Sequence, residues 1–161
     1  MKNIENTYKE NYLKMFRLAM KMVHDEIAVD DIVQEVFIYL FEKMQNGHRV
    51  ENPQSWLARA TMNKCIDYLK YREKFIHLNT VNELTIEEKP FEINKTDAIL
   101  KQAISKLKPL EMKIVILYSE EYSYKEIAQI AKINFSSVGK TLSRTLQKLK
   151  EILKKMNYEM Y

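Results

Sequence analysis

The sequence has 161 residues, of which 46% are hydrophobic, enough for one ordinary domain or two small ones with buried cores. Only two glycines and three prolines occur among many good helix formers, which favours an all-α protein. The net charge is +4, and a single cysteine excludes an intramolecular disulfide framework. The sequence has no metal-ligand spacing, no signal-peptide core and no run of eighteen apolar residues. We therefore expect a cytoplasmic protein with no cofactor, metal or membrane insertion.

Two helices are predicted in the first 45 residues. Apolar residues recur at helical spacing from Tyr8 to Val23, which indicates the first helix. The second covers the segment from Asp25 to Glu42, which contains six acids and no Lys or Arg. Its apolar side is opposite a side that carries Asp31, Gln34, Glu35, Ile38 and Glu42. Such an acidic stripe fits a basic partner and would repel DNA, whereas a surface that serves only solubility usually mixes charges of both signs.

A third helix is predicted from about Pro53 to near Lys74, because Asn52 before Pro53 is a typical helix start. One face of this helix should carry Trp56, Arg59, Asn63, Asp67 and Lys70, which recur at three- and four-residue spacing. A lone tryptophan is usually buried, so core packing of Trp56 is as well supported as an exposed role. Met62 and Cys65 are assigned to the core.

Residues 77–96 lose helical spacing and contain Pro90 and an excess of acids. We therefore predict a flexible linker between a domain at residues 1–76 and a second domain at residues 97–161. Helical spacing resumes after Thr96 or Asp97 as the cap, and Pro109 separates this helix from the next.

A helix-turn-helix is predicted in the second domain. Ser123 and Glu126 form a capping box, a three-residue turn follows, and Asn134 caps the second helix. Small Ala128 would allow the two helices to cross closely. Short polar side chains and then long cations are predicted on the exposed side of the second helix, namely Ser136, Ser137, Lys140, Thr141, Arg144 and Lys148. In this order the short polar side chains would meet base edges and the long cations would meet phosphates. A single Lys-rich helix face could equally be an ordinary solvated surface.

Two residues depart from the usual helix-turn-helix pattern. Lys132 occupies a turn position where glycine is common, and Gly139 lies inside the second helix, at a cost of about 1 kcal/mol relative to alanine. Neither departure removes the capping box, the small crossing residue, the short turn or the basic face, and these four features together favour DNA binding.

Three motifs in this order resemble a bacterial RNA polymerase sigma factor of the extracytoplasmic-function (ECF) group. Region 2.2 of that family is similar to VDDIVQEVFIYLF, and regions 2.3 and 2.4 are similar to NPQSWLARATMNKCIDYLKYREK. Region 4 resembles LKPLEMKIVILYSEEYSYKEIAQIAKINFSSVGKTLSRTLQKLK. The resemblance therefore covers nearly the whole chain.

The resemblance implies a protein that joins core RNA polymerase, reads the minus-ten and minus-thirty-five promoter elements and melts the former. It implies docking on the clamp helices of the β′ subunit through Asp30, Asp31, Gln34, Glu35 and Ile38. It implies minus-ten binding by Trp56, Arg59, Asn63, Lys64, Asp67 and Lys70, with an extruded base under the loop from Gln45 to Asn52. The implied minus-thirty-five residues are Ser136, Ser137, Lys140, Thr141, Arg144 and Lys148.

Further partners implied by the resemblance are the flap of the β subunit and an anti-sigma factor; no small-molecule substrate is implied. The family usually has a Lys, Ser, Arg run where this chain has Gly139, Lys140 and Thr141, so the resemblance predicts DNA binding without a promoter sequence.

A stand-alone dimeric helix-turn-helix regulator is the alternative, and residues 1–76 would then have to form its dimerisation or ligand domain. An enzyme is not expected, because the sequence offers no nucleophile with a base, paired carboxylates, glycine-rich phosphate loop or metal cluster.

Overall fold

A computed structural model describes residues 2–78 and 95–159 of the chain. Within these ranges the protein forms seven helices and no strand, which confirms the all-α prediction. The helices are α1 (Lys2–Val23), α2 (Glu26–Gln45), α3 (Pro53–Leu78), α4 (Lys95–Ser105), α5 (Pro109–Ser119), α6 (Tyr124–Ala131) and α7 (Phe135–Glu159).

Two helix bounds differ from those expected around the linker. The third helix continues to Leu78, and α4 begins at Lys95, ahead of the expected cap at Thr96 or Asp97. The remainder of the predicted flexible linker, residues 79–94, lies outside the described residues.

The N-terminal domain is formed by α1, α2 and α3, which all contact one another. The Asp25 side chain caps α2 by accepting hydrogen bonds from the backbone N–H groups of Ile27 and Ala28 at 3.1 and 3.2 Å. The Phe37 ring is buried between these helices and meets the Tyr8 ring edge-on at 5.0 Å. The three helices thus share one core, and their outward faces are left for other contacts.

The predicted core position of Cys65 is confirmed, because its side chain is fully buried in α3. Burial raises the pKa of this thiol to about 12. Met62 is also fully buried. The face of α3 that carries these two residues is therefore unable to contact a partner.

The C-terminal domain consists of α4 to α7, with α5 at its centre. Four consecutive α5 residues, Ile114 to Leu117, are buried, so this helix is surrounded by its neighbours. The backbone N–H of Lys108 donates to Glu111 Oε1 at 2.9 Å at the start of α5. This central helix supports both helices of the helix-turn-helix, α6 and α7.

The two domains are in contact with each other. Helix α3 packs against α6, and α1 packs against α5. None of the helices in residues 2–78 and 95–159 combines the length and the apolar character needed to cross a membrane.

Candidate protein and nucleic-acid interfaces

The acidic stripe of α2 lies on the solvent side of the N-terminal domain. Asp31 and Glu35 are exposed, and Ile38 is 55% exposed, while Val33 and Phe37 on the opposite side are buried. Within the described part of the chain, the Asp31 carboxylate has no hydrogen bond or ion pair. Asp31 and Glu42, another exposed acid of the stripe, are therefore available to a partner.

Three other residues assigned to this stripe have partners within the N-terminal domain. Asp30 accepts a hydrogen bond from Tyr12 Oη at 2.5 Å, which is the main reason that the pKa of Tyr12 is raised to about 12. Gln34 is half-buried and its Nε2 donates to Tyr8 Oη at 3.2 Å. Glu35 forms an ion pair with Lys64 Nζ at 2.7 Å. These contacts orient the stripe but also occupy part of it.

An exposed apolar border that the sequence pattern does not predict adjoins the acidic stripe. Leu13 is 64% exposed and Ile27 is 80% exposed, and both line a hollow with Asp30 and Asp31. Leu13 lies outside the apolar spacing of α1, which is the sequence signal that could have revealed it. Apolar side chains beside exposed acids are typical of a protein-binding surface.

The proposed minus-ten face of α3 lies against the C-terminal domain. The Arg59 guanidinium donates to the backbone carbonyls of Gln129 and Ile130, the latter from Nε at 3.3 Å. Asn63 Oδ1 accepts a hydrogen bond from Lys113 Nζ at 2.5 Å. Two of the residues predicted to meet DNA therefore bind helices α5 and α6 in this conformation.

Asp67 lies on the same side of α3 and is exposed. Burial lowers the pKa of Lys113, and the nearby Asp67 carboxylate partly offsets this effect. Lys70 is exposed and lines the groove between the domains, whereas Lys64 belongs to the side of α3 that pairs with Glu35 on α2. The six predicted minus-ten residues thus do not form one continuous face.

Trp56 lies half-buried at the edge of the N-terminal core. Its indole stacks on the Tyr39 ring with centroids 6.4 Å apart and planes 12° apart. Lys43 Nζ lies 5.7 Å from the centroid of the Trp56 ring, a cation–π distance. Trp56 is therefore neither a fully buried core residue nor a free surface side chain.

A basic hollow of about 480 Å³ lies beside Trp56 and below the loop that follows α2. Lys43, Arg49 and Arg59 supply positive charge to its lining, which also contains His48 and Glu51. Asn52 closes the loop, because its Oδ1 accepts a hydrogen bond from the backbone N–H of Ser55 at 3.2 Å. An aromatic wall with cations around it is suited to an unpaired base and its phosphates.

The helix-turn-helix has the local geometry that its sequence predicts. Ser123 Oγ accepts from the Glu126 N–H at 3.1 Å, and Glu126 Oε1 accepts from the Ser123 N–H at 3.0 Å, which completes the capping box. Lys132 ends α6 in the left-handed region, at φ 56° and ψ 49°. Ala128 and Val138 are buried at the crossing of α6 and α7.

Lys132→Gly is expected to raise the free energy of unfolding by about 1 kcal/mol, because a left-handed backbone is strained for a residue with a Cβ atom. Urea unfolding followed by circular dichroism measures the difference. Lys132→Ala is the matched control, since it removes the charge and keeps the Cβ. A glycine variant that is no more stable than the alanine variant would show that the turn is not strained.

The outward side of α7 carries the predicted recognition residues. Ser136, Lys140 and Arg144 are exposed, and Ser137 and Thr141 are half-buried. Lys148 forms an ion pair with Glu111 Oε1 at 2.8 Å, and this contact is the main cause of the lowered pKa of Glu111. Lys148 therefore has a structural role in this conformation, fastening α7 to α5.

Phe135 and Gly139 lie near the start of α7. Phe135 is 63% exposed at the beginning of the helix. A Cβ added at Gly139 would meet Tyr124 Cε2 at 3.7 Å, an ordinary van der Waals distance, so glycine is not required there by packing.

No group of three or more His, Cys, Asp or Glu side chains in the described ranges could hold a metal ion.

Two family matches cover most of the chain and follow one another in the expected order. Residues 7–75 match sigma-70 region 2, and residues 97–149 match sigma-70 region 4. The chain belongs to the sigma-70 family. Its N-terminal domain is thus a region 2 domain, and its C-terminal domain with the helix-turn-helix is a region 4 domain.

Similar proteins place the chain in the ECF group of sigma factors. It is 24% identical to the RNA polymerase sigma factor YlaC of Bacillus subtilis, over 98% of this chain and 95% of that protein. It is 28% identical to SigV of the same organism, over 82% of this chain and 80% of that protein. The ECF sigma factor SigE of Mycolicibacterium smegmatis is 26% identical over 91% of this chain and 60% of that protein.

A solved structure has the same fold over nearly the whole chain. It is the sigma factor RpoE in complex with the anti-sigma factor NepR from Bartonella quintana, with a TM-score of 0.69 and 17% identity. The match covers 96% of this chain and 98% of that one. The fold of an ECF sigma factor, with both helical domains, is confirmed.

These comparisons show that the protein is a sigma factor that directs promoter-specific initiation of transcription. The alternative of a stand-alone dimeric regulator is not favoured, because residues 1–76 contain sigma-70 region 2 in place of a dimerisation or ligand domain. None of the matched family models and similar proteins is named for a catalytic activity.

Proposed function

We propose that this sigma factor binds core RNA polymerase through α2 and holds promoter DNA with α3, the loop before α3, and α7. The observation that carries the proposal is the separation of charge. Asp31 is exposed on α2 without a partner in the described chain, whereas Lys140 and Arg144 are exposed on α7. The acidic surface suits a basic protein and the cationic surface suits phosphates.

The polymerase contact is assigned to the clamp helices of the β′ subunit. It would use Asp30, Asp31, Gln34, Glu35 and Ile38, extended by the exposed Leu13 and Ile27. Apolar contacts at the centre of such an interface contribute affinity, while the surrounding charges contribute orientation and association rate. The flap of the β subunit is assigned to the region 4 domain.

The minus-ten contact is assigned to the basic hollow and the neighbouring face of α3. Trp56 would form the wall against which an extruded base packs, and Arg49 and Arg59 would neutralise the phosphates. Asn63, Asp67 and Lys70 lie further along α3, where polar groups would meet the strand as it leaves the hollow. Lys64 would contribute only after release from Glu35.

The minus-thirty-five contact is assigned to α7, entering the major groove of duplex DNA. Ser136, Ser137, Lys140 and Thr141 lie in its first two turns, where a recognition helix meets base edges. Arg144 follows and would bind a phosphate. Lys148 would need to leave Glu111 to reach DNA, so we assign it a supporting role.

An anti-sigma factor is proposed as a further partner, binding in the groove between the two domains. The groove has a volume of about 670 Å³ and an apolar floor that includes Ile66, Leu69 and Met112. Basic residues surround this floor, namely Lys21, Lys70, Arg72 and Lys101. An amphipathic helix with an acidic side fits this surface.

Because the proposed partner of this sigma factor is RNA polymerase, we propose that the protein acts in the cytoplasm.

Run-off transcription with purified core polymerase over a promoter library tests the proposed function. Specific transcripts are expected only when this protein is added, and native mass measurements are expected to show a monomer that joins polymerase. Core polymerase without the protein is the control. A stable dimer that ignores polymerase and yields no transcript would contradict the proposal.

A further inference from the structure

An exposed aromatic ring begins the recognition helix of the region 4 domain. Phe135 is the first residue of α7 and is 63% exposed. Its neighbour Ser136 is also exposed and is the first of the residues assigned to base edges. The N-terminal residues of a recognition helix are the ones that contact base edges in the major groove. Phe135 therefore lies where α7 would enter DNA, and it brings an apolar ring to that position.

Gly139 lies on the same side of α7, one turn beyond Phe135, because residues four positions apart share a helix face. A Cβ atom at Gly139 would be 3.7 Å from Tyr124 Cε2, an ordinary contact distance, so alanine would fit. Glycine also lowers the stability of a helix interior relative to alanine. Neither packing nor helix formation therefore accounts for Gly139. What glycine does provide is a bare stretch of backbone that a ligand can approach closely.

Apolar surface and positive charge lie together around this bare stretch. The Tyr124 ring borders it from the start of α6 and is 42% exposed. Exposed cations adjoin both residues, with Lys125 next to Tyr124 and Lys140 next to Gly139. These cations favour a polyanion such as DNA over a second copy of this protein, whose net charge is +4.

The base edges of the major groove carry one apolar substituent, the C5-methyl group of thymine. Apolar side chains, phenylalanine among them, contact this methyl group, whereas the other distinguishing groups are hydrogen-bond donors and acceptors. A phenyl ring packed on those polar groups would leave them without hydrogen bonds, which is costly in a buried interface. Thymine is therefore the base whose edge matches Phe135.

We propose that Phe135 recognises the C5-methyl group of a thymine in the minus-thirty-five element, and that Gly139 lets this base edge approach α7 closely. Contact between the methyl group and the ring removes apolar surface of both from water. Phe135 is thus a specificity-determining residue beside the hydroxyl groups and cations of α7. This inference rests on the proposed function and names a chemical group that the region 4 domain recognises.

Replacement of thymine by uracil tests the contact, because it removes the methyl group and leaves every hydrogen-bonding group of the base in place. The probe is a duplex with a minus-thirty-five element selected from the promoter library, with uracil at one thymine position at a time. Fluorescence anisotropy measures its binding to holoenzyme formed from core polymerase and the full chain. At one position the uracil duplex is expected to bind about fourfold more weakly, the effect of one buried methyl group.

Phe135→Ala is expected to bind the thymine duplex about tenfold more weakly than the wild type and to bind the thymine and uracil duplexes with equal affinity. Leu146→Ala is the matched control, since it removes a 40% exposed apolar side chain from the same helix, further from its N-terminal end. This control should keep both the wild-type affinity and the full uracil effect. Circular dichroism in urea checks that both variants fold like the wild type.

Gly139→Ala tests the close approach of the base edge. Its Cβ would occupy the approach path, so binding of the thymine duplex is expected to fall on the order of threefold, while the variant unfolds at an equal or higher urea concentration. A Gly139→Ala holoenzyme that binds this duplex like the wild type would overturn the role of Gly139.

The outcomes separate the inference from the proposed function. A uracil effect that is as large in Phe135→Ala as in the wild type would overturn the methyl contact, and so would a wild type that tolerates uracil at every position. In both cases the holoenzyme still binds the thymine duplex, so the proposed function stands. A wild-type protein that forms no holoenzyme, or whose holoenzyme binds no promoter duplex, would overturn the proposed function instead.

Discussion

Asp31→Arg is expected to lower the affinity of the sigma factor for core RNA polymerase by on the order of 100-fold, because a cation would replace an exposed acid opposite a basic partner. Substitution of Asp31 breaks no side-chain contact within the protein, since its carboxylate has no partner in residues 2–78 and 95–159. Glu35→Lys should act in the same direction, but it also breaks the ion pair with Lys64. Fluorescence titration of labelled protein with core polymerase measures the loss.

The matched control for Asp31→Arg is Glu151→Arg, which makes the same charge change at an exposed position of α7. This control should bind polymerase like the wild type and should unfold at the same urea concentration as the Asp31 variant. The affinity of the Asp31 variant for duplex minus-thirty-five DNA should also be unchanged. Wild-type affinity of Asp31→Arg for polymerase would show that α2 does not carry the docking surface.

Arg144→Ala is expected to weaken binding of duplex minus-thirty-five DNA by about tenfold and to flatten its dependence on salt. Loss of one phosphate contact should reduce the slope of log K against log salt by about one, because one fewer counterion is released on binding. Fluorescence anisotropy at several salt concentrations measures both quantities. Polymerase binding should be retained, since Arg144 is exposed on α7 in the other domain from α2.

Lys154→Ala serves as the control for Arg144→Ala. It removes one exposed cation from the same helix, closer to its C-terminal end. General attraction between a basic protein and DNA would make the two variants equal, whereas a specific contact makes Arg144→Ala the weaker binder with the smaller salt slope. Equal slopes and affinities would contradict the assignment of Arg144.

The helix-turn-helix could be predicted from the sequence because its determinants are local. The capping box joins Ser123 to Glu126, only three residues away, and the left-handed turn at Lys132 follows within one helix length. Burial of Val138 and Leu142 follows from their spacing on one side of α7. Interactions that depend on neighbouring residues can be recognised without knowing where the rest of the chain lies.

The partners of the candidate site residues could not be predicted in this way. The resemblance assigns Lys64 to the minus-ten residues, and in the structure it pairs with Glu35 on α2. The sequence assigns Lys148 to the recognition residues, and in the structure it pairs with Glu111, which is 37 positions away in the sequence. Periodicity places a side chain on a face of its helix, while its partner depends on how that helix packs against the others.

The sequence by itself determined the helices, the acidic stripe, the helix-turn-helix and the family, because charge, caps and apolar spacing are properties of short segments. Only the tertiary structure decided what lies against the proposed minus-ten face of α3. Arg59 meets Gln129 across 70 positions of sequence, and Asn63 meets Lys113 across 50. Contacts of that range arise from the packing of the two domains against each other, and in this protein they place the proposed minus-ten face of α3 against α5 and α6.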